Sequence, residues 1–251
     1  MFKGVNMYRI NKGLREWHID MNAFTTDFYK KCDLFNLLPN NVRFYSQQDE
    51  DKYIIQYILK DKINNGTYLE IGGCDGILYS NTKTLQDHFG FTGILIEPQQ
   101  HYFQRLINNR PNNKCYNCAV SNSTDEYVDF IGYNPEGGII ETINTDVSKF
   151  GINNTYRVKN KKMSDLINDS GLSYIDIMSI DVEGGEYEVL QSIDFSFPIY
   201  CIIIEAHSGE QDKNAVFGNY LKSKGFQFHE RQRGNEIWFN PLYFRRDLFN
   251  L

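Results

Sequence analysis

Alanine is nearly absent from this chain: four residues in 251, against 26 Asn and 26 Ile. Such usage points to an AT-rich genome (a virus, a parasite or a low-GC bacterium) and carries no chemistry. No run of 18 apolar residues occurs, which excludes an ordinary membrane-spanning helix. The first residues lack the apolar core of a secretion signal, so the expectation is a cytoplasmic protein, in the host cytoplasm if viral. Basic charge is in deficit, with 26 Lys and Arg against 32 Asp and Glu and a formal net charge of −6. A non-specific nucleic-acid binder needs a basic surface to displace counterions, so that class is disfavoured. The five cysteines are an odd number, and Cys115 and Cys118 have zinc-like spacing without a second pair. The expectation is buried strand cysteines, with neither a disulfide framework nor a zinc site.

What is present supports a sizeable core, since 41% of the residues are hydrophobic. Tyr53, Ile54, Tyr57 and Ile58 recur at helical spacing within 49–62. A β-rich run, Thr67 to Ile71, follows and ends in glycines. A helix is expected from Ser80-Asn81-Thr82 to Phe89, then a strand over 93–97, a helix over 102–109 and a strand over 115–120. Further strands are expected at 127–131, 174–180, 199–204, 226–230 and 236–239. Helices are expected at 163–168, capped by Ser164, and at 187–192 and 215–224. The strand–helix alternation predicts an α/β fold, a mostly parallel sheet with helices on both faces. One domain over 45–251 with a helical or irregular N-terminal extension over 1–44 is the expected organisation.

In an open parallel sheet, ligands bind beyond the carboxyl ends of the strands. The side chains expected there are Glu70, Asp75, Glu97, Asp181, Glu183, Glu205 and His207. The loop after the first long strand, with Gly72 and Gly76, lets a ligand approach the backbone. It lacks the Gly-x-Gly-x-x-Gly spacing of a pyrophosphate site, and its acids Glu70 and Asp75 would repel one. They suit a ligand with a positive centre and an amino group. Glu97 falls 21 residues after Gly76, where an acid accepts both hydroxyls of a ribose. Together these describe a nucleoside without phosphate, S-adenosylmethionine.

Several ordered motifs resemble the FkbM-type methyltransferases, a branch of the class I S-adenosylmethionine-dependent fold. They are residues 45–51, 68–76 with Ser80-Asn81-Thr82, 93–98, 180–186 with Val189-Leu190, and 235–239. The resemblance implies a Rossmann-like, seven-stranded sheet with a reversed last hairpin. It also implies methyl transfer to a hydroxyl, commonly of a sugar or small metabolite. It places Glu70, Gly72, Asp75 and Asn81 around the methionine half, with Gly76 also at the cofactor, Glu97 at the ribose, and Ala119 to Ser121 along the adenine. Asp181 and Glu183 would face the sulfonium and the acceptor. Residues 1–44 and 121–162 carry no matching motif.

An alcohol acceptor needs a base, for which Asp181, Glu183 and His207 are the candidates. Asp181, Glu205 and His207 could instead hold Mg²⁺, because oxygen ligands at adjacent strand ends suit a hard cation. Ser46-Gln47-Gln48-Asp49 could cover the cofactor, or could be a plain helix cap. Lys159, Lys161 and Lys162 read as a solvated face that could also touch an anionic acceptor. The aromatic N-terminus (Phe24, Phe28, Tyr29, Phe35) would suit a partner-covered surface, as in a homo-oligomer. Competing readings are an NAD-dependent sugar-modifying oxidoreductase, an RNA ribose methyltransferase and an inactive scaffold of the same fold.

Overall fold

The computed structural model describes residues 10–11, 14–15, 42–55, 65–132, 134–143, 146, 148, 154–206 and 211–243. The chain divides into two compact units, Met1–Val42 and Arg43–Leu251. Within the first, Ile10–Asn11 (β1) pairs antiparallel with Leu14–Arg15 (β2). Everything below concerns the second.

Its elements alternate as expected. In chain order they are Glu50–Tyr53 (α1), Thr67–Ile71 (β3), Lys83–Phe89 (α2), Thr92–Ile96 (β4), Gln100–Asn109 (α3) and Lys114–Tyr116 (β5). Next come Ala119–Val120 (β6), Tyr127–Ile131 (β7), Gly138–Ile139 (β8), Thr155–Lys161 (β9) and Met163–Ser170 (α4). The chain continues through Ile175–Ile180 (β10), Glu186–Gln191 (α5), Ile199–Glu205 (β11), Gln211–Ser223 (α6), Gln227–Gln232 (β12) and Asn235–Phe239 (β13).

Seven strands form the main sheet in the order β12-β13-β11-β10-β3-β4-β5. Strands β5, β4, β3, β10 and β11 run parallel, whereas β13 runs antiparallel to both β11 and β12. This is the Rossmann-like, seven-stranded sheet with a reversed final hairpin that the resemblance implies. All six residues of β10 are buried, as a central parallel strand covered by helices on both faces requires. The chain leaves β3 towards β4 and β5, then returns to β10 on the other side. The switch point lies between β3 and β10, where a crevice opens.

Register sets the site. Ile71 pairs with Ile180, and Ile180 with Ile204, so Gly72, Asp181 and Glu205 follow those residues at three adjacent strand ends. Glu205 pairs in turn with Asn235, which brings the β12–β13 turn to the same edge.

Two local readings are corrected. The strand expected over 115–120 is two strands in two sheets: β5 edges the main sheet, while β6 pairs with β9. Asn117 lies between them, its Nδ2 donating to the carbonyls of Glu97 and Pro98 at 2.9 and 3.1 Å. Helix α4 is capped from afar rather than by Ser164. Lys162 is its N-cap without a side-chain bond, and Ser192 Oγ accepts the Met163 N–H at 3.1 Å. Of the helix expected over 49–62, the described part is helical from Glu50, with α1 over Glu50–Tyr53, and residues 56–62 lie outside the described ones.

The segment that matched no motif, 121–162, supplies three strands of a second sheet, ordered β6-β9-β7-β8. In β9, Val158 and Asn160 are buried while Arg157, Lys159 and Lys161 are exposed, so the basic run is the solvent face of a strand. Among the described residues, no helix is long and apolar enough to cross a membrane.

Candidate active site

A cavity of about 500 Å³ opens at the switch point. It is walled by the ends of β3, β4, β10 and β11, by Gln47 and Gln48, and by the second sheet through Phe130, Gly137 and Ile139. Its acids are Glu97, Glu136, Asp181, Glu183 and Glu205, and no Lys, Arg or His among the described residues lines it.

Gly72 sits at the centre with φ +80°, and a Cβ there would lie 2.0 Å from the carbonyl oxygen of Asp181. No other residue fits so close an approach, so the chain at this point is bare backbone. The loop folds back on β4: Gly72 and Gly73 both donate to the Ile96 carbonyl, at 3.1 and 3.0 Å. Cys74 follows in the left-handed region at φ +47°.

Glu97, at the tip of β4, is 4% exposed. One carboxylate oxygen accepts the Cys74 N–H at 2.9 Å and the other the Gln99 N–H at 2.7 Å. Burial pushes its pKa up to about 8 in spite of these bonds. Beside it, Gln99 is 2% exposed; its Nε2 donates to the Asn134 carbonyl at 2.8 Å, and its buried Oε1 has no partner among the described residues.

Across Gly72, the acids past β10 and β11 converge. Asp181, Glu183 and Glu205 each offer one oxygen within 4.8 Å of the others. Burial first, then the charges of Asp181 and Glu183, push Glu205 up to about 11. The adjoining carboxyl of Asp181 adds to that rise through a side-chain hydrogen bond. Glu183 holds φ +59°. The buried Glu186 braces this loop from behind by accepting the N–H groups of Gly184 and Val182 at 3.0 and 3.4 Å, and burial pushes it up to about 7.

The 45–51 segment roofs the acid side. Asp51, fully buried, accepts the N–H groups of Tyr45 and Ser46, the Ser46 hydroxyl at 2.5 Å and the Thr84 hydroxyl at 2.6 Å. Glu50 accepts Asn235 Nδ2 at 2.7 Å, and Gln48 Oε1 accepts the Gly234 N–H at 3.0 Å. The segment is thereby tied to the start of α2 and to the β12–β13 turn.

The sequence-selected residues fall into two groups. Gly72, Glu97, Ala119, Asp181, Glu183 and Glu205 line the cavity, as do Gln47 and Gln48. Glu70, Asp75, Gly76, Asn81 and Ser121 stand outside its lining. Glu70 accepts the Ser80 and Thr82 hydroxyls and the Asn81 N–H at 2.6–2.9 Å, fixing the turn before α2. Burial raises its pKa, and the nearby Arg110 opposes that rise. Asp75 accepts the N–H groups of Ile77 and Leu78, Asn81 Nδ2 donates to Ser179, and Ser121 bonds Asn160. A Cβ on Gly76 would lie 2.7 Å from Arg110 Cγ, so this glycine makes room for the buried arginine. His207 lies outside the described residues.

Gln99, Phe130, Gly137, Ile139 and Thr142 line the cavity without having been singled out in the sequence. Phe130 left a trace, as part of the strand expected over 127–131, and a Cβ on Gly137 would crowd Phe130, the Ile131 carbonyl and Gln99 Nε2 at 2.9–3.1 Å.

Comparison with known proteins gives a family match. The model described as the methyltransferase FkbM domain matches residues 70–230. Among solved structures, a methyltransferase FkbM from Methylobacillus flagellatus KT superposes with a TM-score of 0.47 at 15% identity, covering 76% of this chain and 47% of that one. This chain thus spans about half the length of that protein. A precorrin-6y C5,15-methyltransferase from Geobacter metallireducens GS-15 gives 0.44 at 9% identity, covering 80% and 90%. No functionally curated protein matches the sequence.

Proposed function

The chain belongs to the FkbM methyltransferase family, and from that premise we propose that it is an S-adenosylmethionine-dependent O-methyltransferase for a hydroxyl of a sugar, glycan or small metabolite. The observation that carries the reading is the cavity at the switch point, with bare backbone at Gly72 between the ribose-type acid Glu97 and the Asp181–Glu183–Glu205 wall. The residues fit the cofactor in two ways. At Gly72 a Cβ would strike the Asp181 carbonyl, so the loop meets a ligand with backbone alone, and Glu97 lines the cavity at the tip of the next strand, where an acid can accept ribose hydroxyls.

In this reading Glu97 takes the ribose hydroxyls, Ala119 and Gln99 the adenine, and Gly72 and Asp181 the methionine half. Glu70, Asp75, Gly76 and Asn81 support the loop that forms the cradle, and Ser121 the sheet behind Ala119. S-adenosylmethionine supplies a methyl group already activated by its sulfonium. The chain's task is alignment, which contributes roughly 7–11 kcal/mol in well-oriented systems. Asp181 or Glu183 removes the acceptor proton, adding ~10²–10⁴-fold; His207 remains a candidate for the same step. Gln47 and Gln48 line the acceptor side and hydrogen-bond hydroxyls there. Mg²⁺ is the alternative occupant of the Asp181–Glu183–Glu205 wall, since three oxygen donors suit a hard cation.

Calorimetric titration with S-adenosylmethionine, with and without Mg²⁺ and with NAD as control, tests the reading. Micromolar binding that weakens at least tenfold in Glu97→Ala supports it. Absence of binding under both conditions refutes it.

A further inference from the structure

Tyr79 is strained and exposed at the same time. It holds φ +58°, a left-handed conformation that a bulky side chain rarely adopts, and it is 47% exposed. Among the described residues none bonds its hydroxyl or stacks a ring against it, so packing does not repay the strain. The backbone around it enforces the conformation. A parallel bridge ties Tyr79 to Ser46, which is itself anchored on the buried Asp51. On one side Asp75 accepts the N–H groups of Ile77 and Leu78, and on the other Glu70 accepts the Ser80 hydroxyl. Residues strained in this way gather at binding sites. Tyr79 lines the cavity, together with the exposed Leu78.

The same bridge brings in a second group. Gln47 follows Ser46, lines the cavity and is exposed, and its amide has no partner among the described residues. Its neighbour Gln48 has already given its Oε1 to the Gly234 N–H. One rim of the cavity therefore carries an idle aromatic ring and an idle amide, fixed to each other through the backbone.

We propose that Tyr79 and Gln47 are the acceptor-selecting pair: Tyr79 carries the apolar face of a saturated, hydroxylated ring of the pyranose type, and Gln47 bonds its edge hydroxyls. The inference rests on the function proposed above and deepens it by naming the groups that choose the acceptor. The negative face of an aromatic ring attracts polarised C–H groups, which a pyranose presents on one face. A carboxamide both donates and accepts, as neighbouring hydroxyls require. Exposure decides between ring types. A platform half open to water suits a ligand whose other face stays hydrated, and a flat aromatic acceptor would gain less there. Held on this rim, the acceptor ring turns a hydroxyl inward to the cavity where the Gly72 backbone lies bare.

The test is saturation-transfer NMR on the protein filled with S-adenosylhomocysteine, so that no methyl group moves. The probes are methyl α-D-glucopyranoside, methyl α-D-galactopyranoside, methyl α-L-rhamnopyranoside and catechol. At least one pyranoside should bind, with the strongest transfer to the C–H groups of one ring face. Its affinity should fall about tenfold in Tyr79→Ala and about fivefold in Gln47→Ala, and stay within about threefold in Tyr79→Phe, which keeps the ring. Affinity for S-adenosylhomocysteine should change less than about threefold throughout. Tyr79→Gly should lose the acceptor equally while its denaturant midpoint stays at or above that of the wild type, because glycine adopts the left-handed φ without strain. A lower midpoint in Tyr79→Gly would assign the residue to the fold and overturn the inference. Binding of catechol alone, binding of no acceptor, or a pyranoside affinity indifferent to Tyr79→Ala also overturns it, and each leaves the methyltransferase reading intact. Failure of the wild-type protein to bind S-adenosylmethionine or S-adenosylhomocysteine overturns that reading and the inference with it.

Discussion

Gly72 and Asp181 touch through the backbone: any Cβ on Gly72 would come within 2.0 Å of the Asp181 carbonyl oxygen. The β3 loop and the end of β10 therefore share one space, and an added methyl group forces them apart. Gly72→Ala should cost stability by about 1–3 kcal/mol, from the left-handed φ alone, and abolish cofactor binding. Urea denaturation and calorimetry read the two effects separately. An unchanged affinity for S-adenosylmethionine would show that this approach does not shape the binding site.

The pH dependence of folding reports on Glu97. Its pKa rises from an ordinary 4.5 to about 8 in the folded protein, because burial penalises the charge. Between those values the folded state keeps a proton that the unfolded chain has released, so stability falls as pH rises from about 5 to about 8. Glu186 and Glu205 are raised as well and act with the same sign. Glu97→Gln should accordingly remove part of the slope, which melting curves from pH 5 to 8 would detect. A slope as steep as that of the wild type would contradict the burial argument.

Arg110 is fully buried behind the glycine loop. Its guanidinium donates to the Gly76 carbonyl, Ser80, Tyr68 and Thr82 at 2.7–3.2 Å, and two of these hydroxyls in turn serve Glu70. Arg110→Met leaves Glu70 without a cation that opposes its burial, at a cost of about 3–5 kcal/mol. Arg110→Lys should rescue little, because a point-charge ammonium cannot reach four acceptors spread around a planar fork. Denaturant midpoints of the two variants would show whether the fork or the charge matters.

Asp51 decides whether the 45–51 segment stays over the cavity. It is fully buried and accepts four hydrogen bonds from Tyr45, Ser46 and Thr84, two of them from the Ser46 hydroxyl and the Thr84 hydroxyl. In Asp51→Ala the segment loses its anchor and at least one buried donor, costing about 1–3 kcal/mol. Affinity for S-adenosylmethionine should drop about tenfold, with faster proteolysis between residues 42 and 52. Wild-type affinity in a folded Asp51→Ala protein would remove this segment from the binding site.

Of the second sheet, only β7 could be read in the sequence as a strand of its own, for a definite reason. Its strands β6 and β8 have two residues each, too short for any period to register. Strand β9 does alternate, but with Arg157, Lys159 and Lys161 outside and only Val158 and Asn160 buried inside, so charge masks the pattern. The failed Ser164 cap has a similar origin: the true partner of Met163 is Ser192, 29 residues away.

The mostly parallel sheet and the row of acids at its strand ends were legible in the sequence itself. Apolar runs, glycine stops and strand-end carboxylates are local features, and the family's motifs are written in them. Which acids face the cavity was decided only by tertiary structure. Glu70 and Glu97 look alike in the chain, each closing an apolar strand before a turn. Folding surrounds Glu70 with Ser80, Asn81 and Thr82 behind the wall and sets Glu97 on the cavity itself. A carboxylate's role follows from the groups that desolvate and bond it, and those arrive from distant parts of the chain.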